Sequence, residues 1–145
     1  MNQAYFSPGP DCRIAIEQAM ETALDELLIC VFTISDDRLS DAIQRAHRNG
    51  LTVRVISDND KMADKGNDVE RLALSGIDVR IDRSPDHMHH KFMVVDGKTV
   101  LTGSYNWTRS AETRNEENLV TIDDPSLASR FIGEFERIWT NGEPL

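Results

Sequence analysis

Residues 85–106, PDHMHHKFMVVDGKTVLTGSYN, determine how the chain must fold. The apolar runs FMVV and TVLT flank Asp96-Gly97, a dipeptide typical of a tight turn between two antiparallel strands. The two runs therefore predict a β-hairpin. Because a hairpin reverses the chain, residues 103–106 should return alongside the segment that leads into the first run.

The residues at the open end of this hairpin are suited to phosphate-ester chemistry. If the segment leading into FMVV is extended, the period of two places His89 and Lys91 on one face. An imidazole that titrates near neutral pH then stands beside a cation, as a nucleophile attacking a phosphodiester would need. Gly103 lets backbone approach an oxyanion closely, and Ser104 and Asn106 supply short polar groups where a new helix should start.

This spacing resembles the signature of the phospholipase D superfamily, H-x-K-x-x-x-x-D followed by G-S-x-N. Its positions are matched by His89, Lys91, Asp96, Gly103, Ser104 and Asn106. The segments 5–12, 31–58 and 106–120 also resemble the small single-motif branch of that superfamily. That branch contains compact bacterial endonucleases and mitochondrial cardiolipin-hydrolase-like nucleases, so the resemblance implies a phosphodiesterase.

The order of the elements predicts the fold class. Strands are predicted at 4–7, 27–33, 51–57, 77–81, 90–95, 99–102 and 117–122, and helices at 12–24, 35–48, 68–75, 107–113 and from 123 onward. This alternation predicts one α/β domain over residues 1–145, a three-layer sandwich with a mixed, mostly parallel central sheet and helices on both faces. The polar stretch 57–68 is predicted to be a loop, with Lys61 or Lys65 as alternative substrate contacts.

The chemistry needs two imidazoles, and the sequence contains one H-x-K motif without an internal repeat. Neutral His89 would attack phosphorus, a second imidazole would protonate the leaving oxygen, and Lys91 would neutralise the phosphate oxygens. We therefore expect a homodimer whose two-fold axis brings two copies of His89 into one shared site. The resemblance agrees, because the single-motif branch is dimeric in this way.

Two carboxylates complete the set of candidate site residues. The superfamily places a carboxylate that orients the nucleophilic histidine at the start of the downstream strand, and Glu117 is the candidate, with Glu116 as the neighbouring alternative. Asp96 belongs to the motif. Its strand parity, opposite to that of His89, favours a structural role at the turn or interface over a role as acid or base.

Three further residues are candidates for substrate binding. Trp107 could stack on a nucleobase, although an aromatic residue in the first turn of an apolar-faced helix is more often part of the core. Arg109 and Arg114 could contact flanking phosphates or could equally be solvated surface residues.

A zinc site is the alternative use of the same segment. Its ligands would be His87, His89 and His90, completed by Asp86 or Asp96. Lys91 would repel a bound cation, and the G-S-x-N element would have no role. The sequence therefore predicts neither a metal nor a cofactor.

Charge and hydropathy limit the classes of partner. The net charge of −9 opposes nucleic-acid binding, but Arg80, Arg83, Lys91, Lys98, Arg109 and Arg114 cluster around the motif. The same acidity disfavours an anionic membrane surface, and the longest apolar stretch, 27–34, is too short to span a bilayer. We expect no stable membrane anchoring. If Met1 is the natural start, the absence of a secretory signal predicts a cytoplasmic protein.

The leading expectation is a sequence-nonspecific, metal-independent endonuclease that acts on DNA, with RNA as a second candidate substrate. Two alternatives stay open at this point. The first is a phospholipase D or cardiolipin hydrolase. The second is a nucleic-acid-binding domain that is noncatalytic or activated by a partner.

Overall fold

The computed structural model, which describes residues 2–58 and 68–145, contains five helices and eight strands within those ranges. The strands are Gln3–Ser7 (β1), Glu26–Val31 (β2), Thr52–Asp58 (β3), Asp78–Asp82 (β4), Lys91–Val95 (β5), Thr99–Gly103 (β6), Glu117–Asp123 (β7) and Glu143–Pro144 (β8). The helices are Asp11–Thr22 (α1), Asp37–Arg48 (α2), Val69–Leu74 (α3), Arg109–Thr113 (α4) and Pro125–Asn141 (α5). Lys61 and Lys65 lie outside the described residues.

The strands form one mixed sheet in the order β1-β7-β6-β5-β2-β3-β4-β8. The predicted hairpin at Asp96-Gly97 joins β5 to β6, and the α/β class is confirmed. The expectation of a mostly parallel sheet is wrong, because among the described strands only the pairs β2–β3 and β3–β4 are parallel. Parallel pairing is confined to the two crossovers through α2 and α3, whereas the hairpin and the strands added at both edges are antiparallel.

Helices cover both faces of the sheet, as predicted. Along β2, Leu27, Ile29 and Val31 point to the core under α1, α2 and α3, while Leu28 and Cys30 point to the core under α5. This alternation makes β2 apolar throughout, since a strand covered on both faces has no solvated side. No helix within the described ranges combines the length and apolarity needed to cross a membrane.

One end of the sheet collects most of the motif residues. Strands β2 and β3 end there, at Val31 and Asp58, and β5 begins there because Val31 lies opposite Lys91 in the antiparallel β2–β5 pair. We call this end the site edge. Strand β6 ends and β7 begins at the same edge, since Gly103 lies opposite Leu119.

The opposite end of β5 is fixed by Asp96. The Asp96 carboxylate accepts hydrogen bonds from the backbone N–H groups of Leu24, Asp25 and Glu26 at 2.8–2.9 Å. Asp96 itself adopts a left-handed conformation (φ 53°), which aspartate and asparagine tolerate better than most residues. Asp96 therefore anchors the start of β2 to the hairpin. Seven residues of near-extended chain separate it from His89 by roughly 20 Å, so it takes no direct part in chemistry at His89.

The first prediction concerns Asp96→Asn, which keeps the shape and the left-handed tolerance but loses the negative charge. Burial alone would raise the pKa of Asp96, but the amides of Glu26, Leu24 and Asp25, with Lys98, hold it below its usual value of 3.8. The charge therefore stabilises the fold above about pH 4, and this contribution disappears as pH falls through the lowered folded pKa. We expect the variant to lose about 1–3 kcal/mol of unfolding free energy at pH 7, measured by urea denaturation.

The difference in unfolding free energy between the parent and Asp96→Asn should shrink as the pH falls below about 4. Asp78→Asn, which alters an exposed carboxylate on β4, is the matched control and should change stability by less than about 0.5 kcal/mol. Equal stability of parent and Asp96→Asn at pH 7 would contradict the anchoring role.

Candidate active site

His89 and Lys91 lie together at the site edge. His89 precedes β5, and Lys91 is the first residue of that strand. The Lys91 Nζ lies 2.8 Å from His89 Nδ1 and 3.5 Å from His89 Nε2, and it also donates to the His89 carbonyl oxygen at 2.8 Å. The predicted pairing of an imidazole with a cation is therefore present in the structure.

The surroundings of His89 favour its neutral form. Partial burial, followed by the positive charges of Lys91 and His87, lowers the pKa of His89 below its ordinary value of 6.5, although Asp58 opposes this. Burial also lowers the pKa of Lys91, and Glu117 opposes that shift. Because a lowered pKa keeps the ring unprotonated to lower pH, His89 retains a nucleophilic lone pair at neutral pH.

Aromatic rings form one wall of the site. Phe32, which directly follows β2, packs against His89 with ring centroids 4.6 Å apart and against His87 at 5.4 Å. The two imidazole rings lie 6.2 Å from each other. The Phe32 contacts hold His89 at the rim of the sheet, with its side chain still exposed to solvent.

The G-S-x-N segment is positioned by hydrogen bonds at the same edge. Ser104 Oγ accepts from the backbone N–H of Asn118 at 3.0 Å, and Ser104 N–H donates to the Asn118 carbonyl at 3.1 Å. Asn106 Oδ1 accepts from the N–H of Thr33 at 3.3 Å. Strand pairing at this edge and these bonds bring Ser104 and Asn106 to the end of the sheet where His89 lies.

Gly103 is required by its neighbour on β7. A Cβ at this position would lie 2.2 Å from the Asn118 carbonyl oxygen, a distance that backbone cannot accommodate. The structure thus gives Gly103 a steric role in the close approach of β6 and β7. The predicted contact of Gly103 with an oxyanion stays a prediction.

The three candidate binding residues beyond Asn106 differ in exposure. Trp107 is buried, with 2% of its surface exposed, and its backbone carbonyl accepts from Ser35 and Asp36. This placement gives Trp107 the core role and contradicts stacking on a base. Arg109 begins α4 and Arg114 follows it, and both side chains are exposed.

Glu117 lies at the start of β7, as predicted, but it contacts a different partner. Its carboxylate accepts from the side-chain amide of Asn115 at 3.1 Å, whereas the His89 Nδ1 faces Lys91. Glu117 is still close enough to raise the pKa of Lys91. Its role in orienting His89 therefore remains a proposal.

The ligands of the alternative zinc site are not brought together. His90 turns to the α5 face, where its Nε2 lies 2.8 Å from Glu134 Oε2, and Asp96 lies at the far end of β5. Within residues 2–58 and 68–145, no three His, Cys, Asp or Glu side chains are grouped to hold a metal ion.

A groove of about 570 Å³ extends from His89 toward the C-terminal end of α5. Its lining includes Asp82, Ser84, His87, Arg137 and Asn141, with Met88 and Ile138 as apolar members. Sequence reasoning missed this groove, because α5 contributes to it from almost 50 residues downstream of His89. It also missed Phe32, which directly follows β2, and Asp58, which ends β3 at the site edge.

The fold and the His89–Lys91 pair together define a domain of the phosphodiesterase class. The family described as "Cardiolipin synthase, PLD-like domain" matches residues 16–139. The chain therefore belongs to the phospholipase D superfamily, as the sequence resemblance indicated.

Individual relatives extend this finding. The chain is 47% identical to a mitochondrial cardiolipin hydrolase of Xenopus laevis, over 98% of this chain and 72% of the relative. It is 45% identical to a protein of the same name from Chlamydomonas reinhardtii, over 81% of this chain and 53% of the relative, so it spans about half the length of that protein. In structure it is similar to Nuc of Salmonella typhimurium, a phospholipase D family member, with a TM-score of 0.95 and 28% identity over 100% of this chain and 97% of that one.

The second prediction tests the electrostatic coupling of Lys91 to His89. Replacing Lys91 by glutamine removes the nearby positive charge, so the pKa of His89 should rise toward its ordinary value, while the contribution of burial remains. The expected result is a titration midpoint for His89 at higher pH than in the parent, measured by NMR of the histidine ring. Lys98→Gln, at the exposed hairpin turn, is the control and should leave the midpoint unchanged. An unchanged midpoint in Lys91→Gln would show that the two side chains are not coupled in solution.

Proposed function

We propose that this domain hydrolyses phosphodiesters of nucleic acid through a covalent intermediate on His89. The observation that carries the proposal is the contact between a neutral imidazole and a lysine ammonium at the mouth of an open groove. A phosphate anion entering the groove would draw the ammonium of Lys91 onto its oxygens. The imidazole lone pair would then be free to attack.

The reaction balances in two displacements. In the first, a nitrogen of His89 forms a bond to phosphorus, the bond from phosphorus to the leaving oxygen breaks, and that oxygen takes a proton from a second imidazole. In the second, this imidazole takes a proton from water, whose oxygen attacks phosphorus and breaks the phosphorus–nitrogen bond. For Glu117 to fix the tautomer of His89, both it and Lys91 must move from their partners in the unbound structure.

The lining of the groove favours nucleic acid as the substrate. Polar side chains surround His89 there, including Ser84, Arg137 and Asn141. They offer hydrogen bonds to sugar, phosphate or base. The relatives named mitochondrial cardiolipin hydrolase support a lipid phosphodiester as the second candidate. A smaller recess of about 220 Å³, lined by Phe92 and Phe131 together with His90, Arg130 and Glu134, offers apolar surface to an acyl chain.

The second imidazole is proposed to come from a second copy of the chain. The face of β1 and β7 on the side of α5 carries Phe6, 65% exposed, and the partly exposed Val120 and Ile122. Phe6 lies opposite Asn118, the residue that holds Ser104. This open apolar face extends to the site edge, where β7 begins, which is why we place the second copy there. Within one subunit the His87 ring lies 6.2 Å from the His89 ring, but the Nδ1 of His87 is directed toward Asp58 Oδ1 at 3.8 Å.

The third prediction concerns turnover. Purified protein in excess EDTA should cleave single- or double-stranded DNA or RNA, and His89→Ala should reduce the rate by at least about 1,000-fold because the nucleophile is lost. His47→Ala, in the last turn of α2, is the matched control and should keep the parent rate. Cardiolipin vesicles are assayed in parallel.

The other outcomes of this assay reassign the function. Hydrolysis of cardiolipin without cleavage of nucleic acid would select the lipid candidate. Failure to turn over any of these substrates would leave a binding or partner-activated domain and overturn the proposal. Activity that requires an added divalent metal would contradict the histidine mechanism.

The fourth prediction concerns the shared site. Mixed dimers of one parent and one His89→Ala subunit, isolated with two affinity tags, should be at least about 100-fold less active than the parent, since each site needs both copies. Phe6→Asp should sediment as a monomer, and this monomer should be inactive. Leu74→Asp changes an apolar residue on α3 that is more exposed than Phe6, at 82%, and should stay dimeric and active. An active monomer that is inactivated by His87→Ala would instead assign the second imidazole to the same subunit.

A further inference from the structure

The backbone that carries His89 is not part of the sheet. Between the end of β4 at Asp82 and the start of β5 at Lys91, the chain has no helix or strand. Backbone pairing with β2 reaches as far as His90, whose carbonyl accepts from the Phe32 N–H at 2.9 Å, and His89 lies one residue beyond that bond. Catalysis nevertheless requires reacting atoms to be placed within a fraction of an ångström. Other contacts must hold the segment.

Met88 anchors this segment from the residue before His89. Its side chain is buried in the core beneath α5, with its sulfur 3.5 Å from the Cys30 sulfur. Its backbone N–H donates to Asp58 Oδ2 at 2.5 Å. Asp58 is the last residue of β3 and has no exposed surface. A hydrogen bond to a buried carboxylate is among the strong ones, so the position of Met88 is tightly defined.

The second oxygen of Asp58 faces the other side of the segment. Its Oδ1 lies 3.8 Å from Nδ1 of His87, whose ring packs beside His89 against Phe32. One buried carboxylate thus reaches both the residue immediately before the nucleophile and the imidazole next to it. The catalytic steps described above do not use Asp58.

We propose that Asp58 is a positioning residue for His89, which holds the segment 87–89 by its bond to the Met88 amide and sets the electrostatic environment of the site by its charge. This inference rests on the proposed role of His89 as nucleophile and extends it to a residue that does not touch the substrate. The ammonium of Lys91 and the imidazole of His87 adjoin His89, and Asp82 and Arg137 line the same groove. Asp58 opposes the lowering of the His89 pKa by its other neighbours.

Two substitutions separate the two roles. Asp58→Asn keeps an oxygen that can accept from Met88 but removes the charge, whereas Asp58→Ala removes both. In Asp58→Asn, the His89 titration midpoint, read by NMR, should fall to lower pH, because a stabilising negative charge is lost. The plateau kcat for bis(p-nitrophenyl) phosphate should stay within about 3-fold of the parent. In Asp58→Ala, kcat should fall about 100-fold with little change in KM.

Asp96→Asn and Asp96→Ala are the matched controls. Asp96 is also a carboxylate that accepts backbone amides, but it lies at the other end of β5. These variants should lower the unfolding temperature without changing the His89 midpoint or kcat. All variants are compared at a fixed interval below their own unfolding temperatures, so that lost stability is not read as lost activity.

A purely structural role would overturn the proposal. In that case Asp58→Asn and Asp58→Ala would behave like the Asp96 variants, with lowered stability and an unchanged midpoint and plateau kcat. If Asp58→Ala does not fold, the test rests on the His89 titration midpoint in Asp58→Asn. A midpoint equal to that of the parent counts against the proposal. The NMR titration needs no turnover. An inactive parent would therefore refute the proposed function while leaving the role of Asp58 testable.

Discussion

The antiparallel pairing of β5 with β2 is the constraint on which the site depends. It places Val31 opposite Lys91 and Leu27 opposite Val95 in the middle of the sheet, where both strands are buried on both faces. A slip of one residue would exchange the side chains of β5 that pack under α5 with those that pack on the opposite face, so packing in the two cores holds the register. That register brings the start of β5 to the ends of β2 and β3. The groups that surround His89 are collected there as a consequence of core packing.

The same pairing explains why a carboxylate accepts backbone N–H groups at each end of β5. An antiparallel strand inserted beside parallel neighbours needs its entry and exit segments fixed, because backbone bonds to β2 extend just beyond β5, from Phe32 N–H to the His90 carbonyl and from Asp96 N–H to the Glu26 carbonyl. At the exit, Asp96 accepts three amides and joins the turn to β2. At the entry, Asp58 accepts the amide of Met88. The exit is partly exposed and remote from His89, whereas Asp58 is buried at the entry, which is why a positioning role is proposed for Asp58 and not for Asp96.

Local patterns in the sequence predicted the hairpin, the layer order and the motif residues, because each depends on neighbours within a few positions. The balance of parallel and antiparallel pairs in the sheet was not predicted correctly. The alternation of strands and helices does not reveal that β1, β7 and β8 join the sheet antiparallel. Asp58 was assigned to the start of a polar loop. Its contact with Met88 spans 30 residues and has no signal in either segment alone. Trp107 was a candidate for substrate binding, with the core as its alternative, and its burial and parallel bridge to Ile34 depend on a long-range contact that the sequence does not show.

The acidic composition is compatible with a phosphodiesterase because many of the arginines are paired with carboxylates, whereas Lys91 contacts His89. The ion pairs include Arg13–Glu17, Arg38–Asp36, Arg54–Glu136, Arg71–Asp41, Arg83–Glu143 and Arg137–Glu134. Lys91 instead donates to His89, so its charge is directed to the groove. With a net charge of −9, the protein as a whole repels a polyanion at long range, whereas the ammonium of Lys91 attracts a phosphate at short range. Recognition in such a protein depends on contacts made after the substrate has arrived, and the precise placement of Lys91 and His89 matters more than the overall charge.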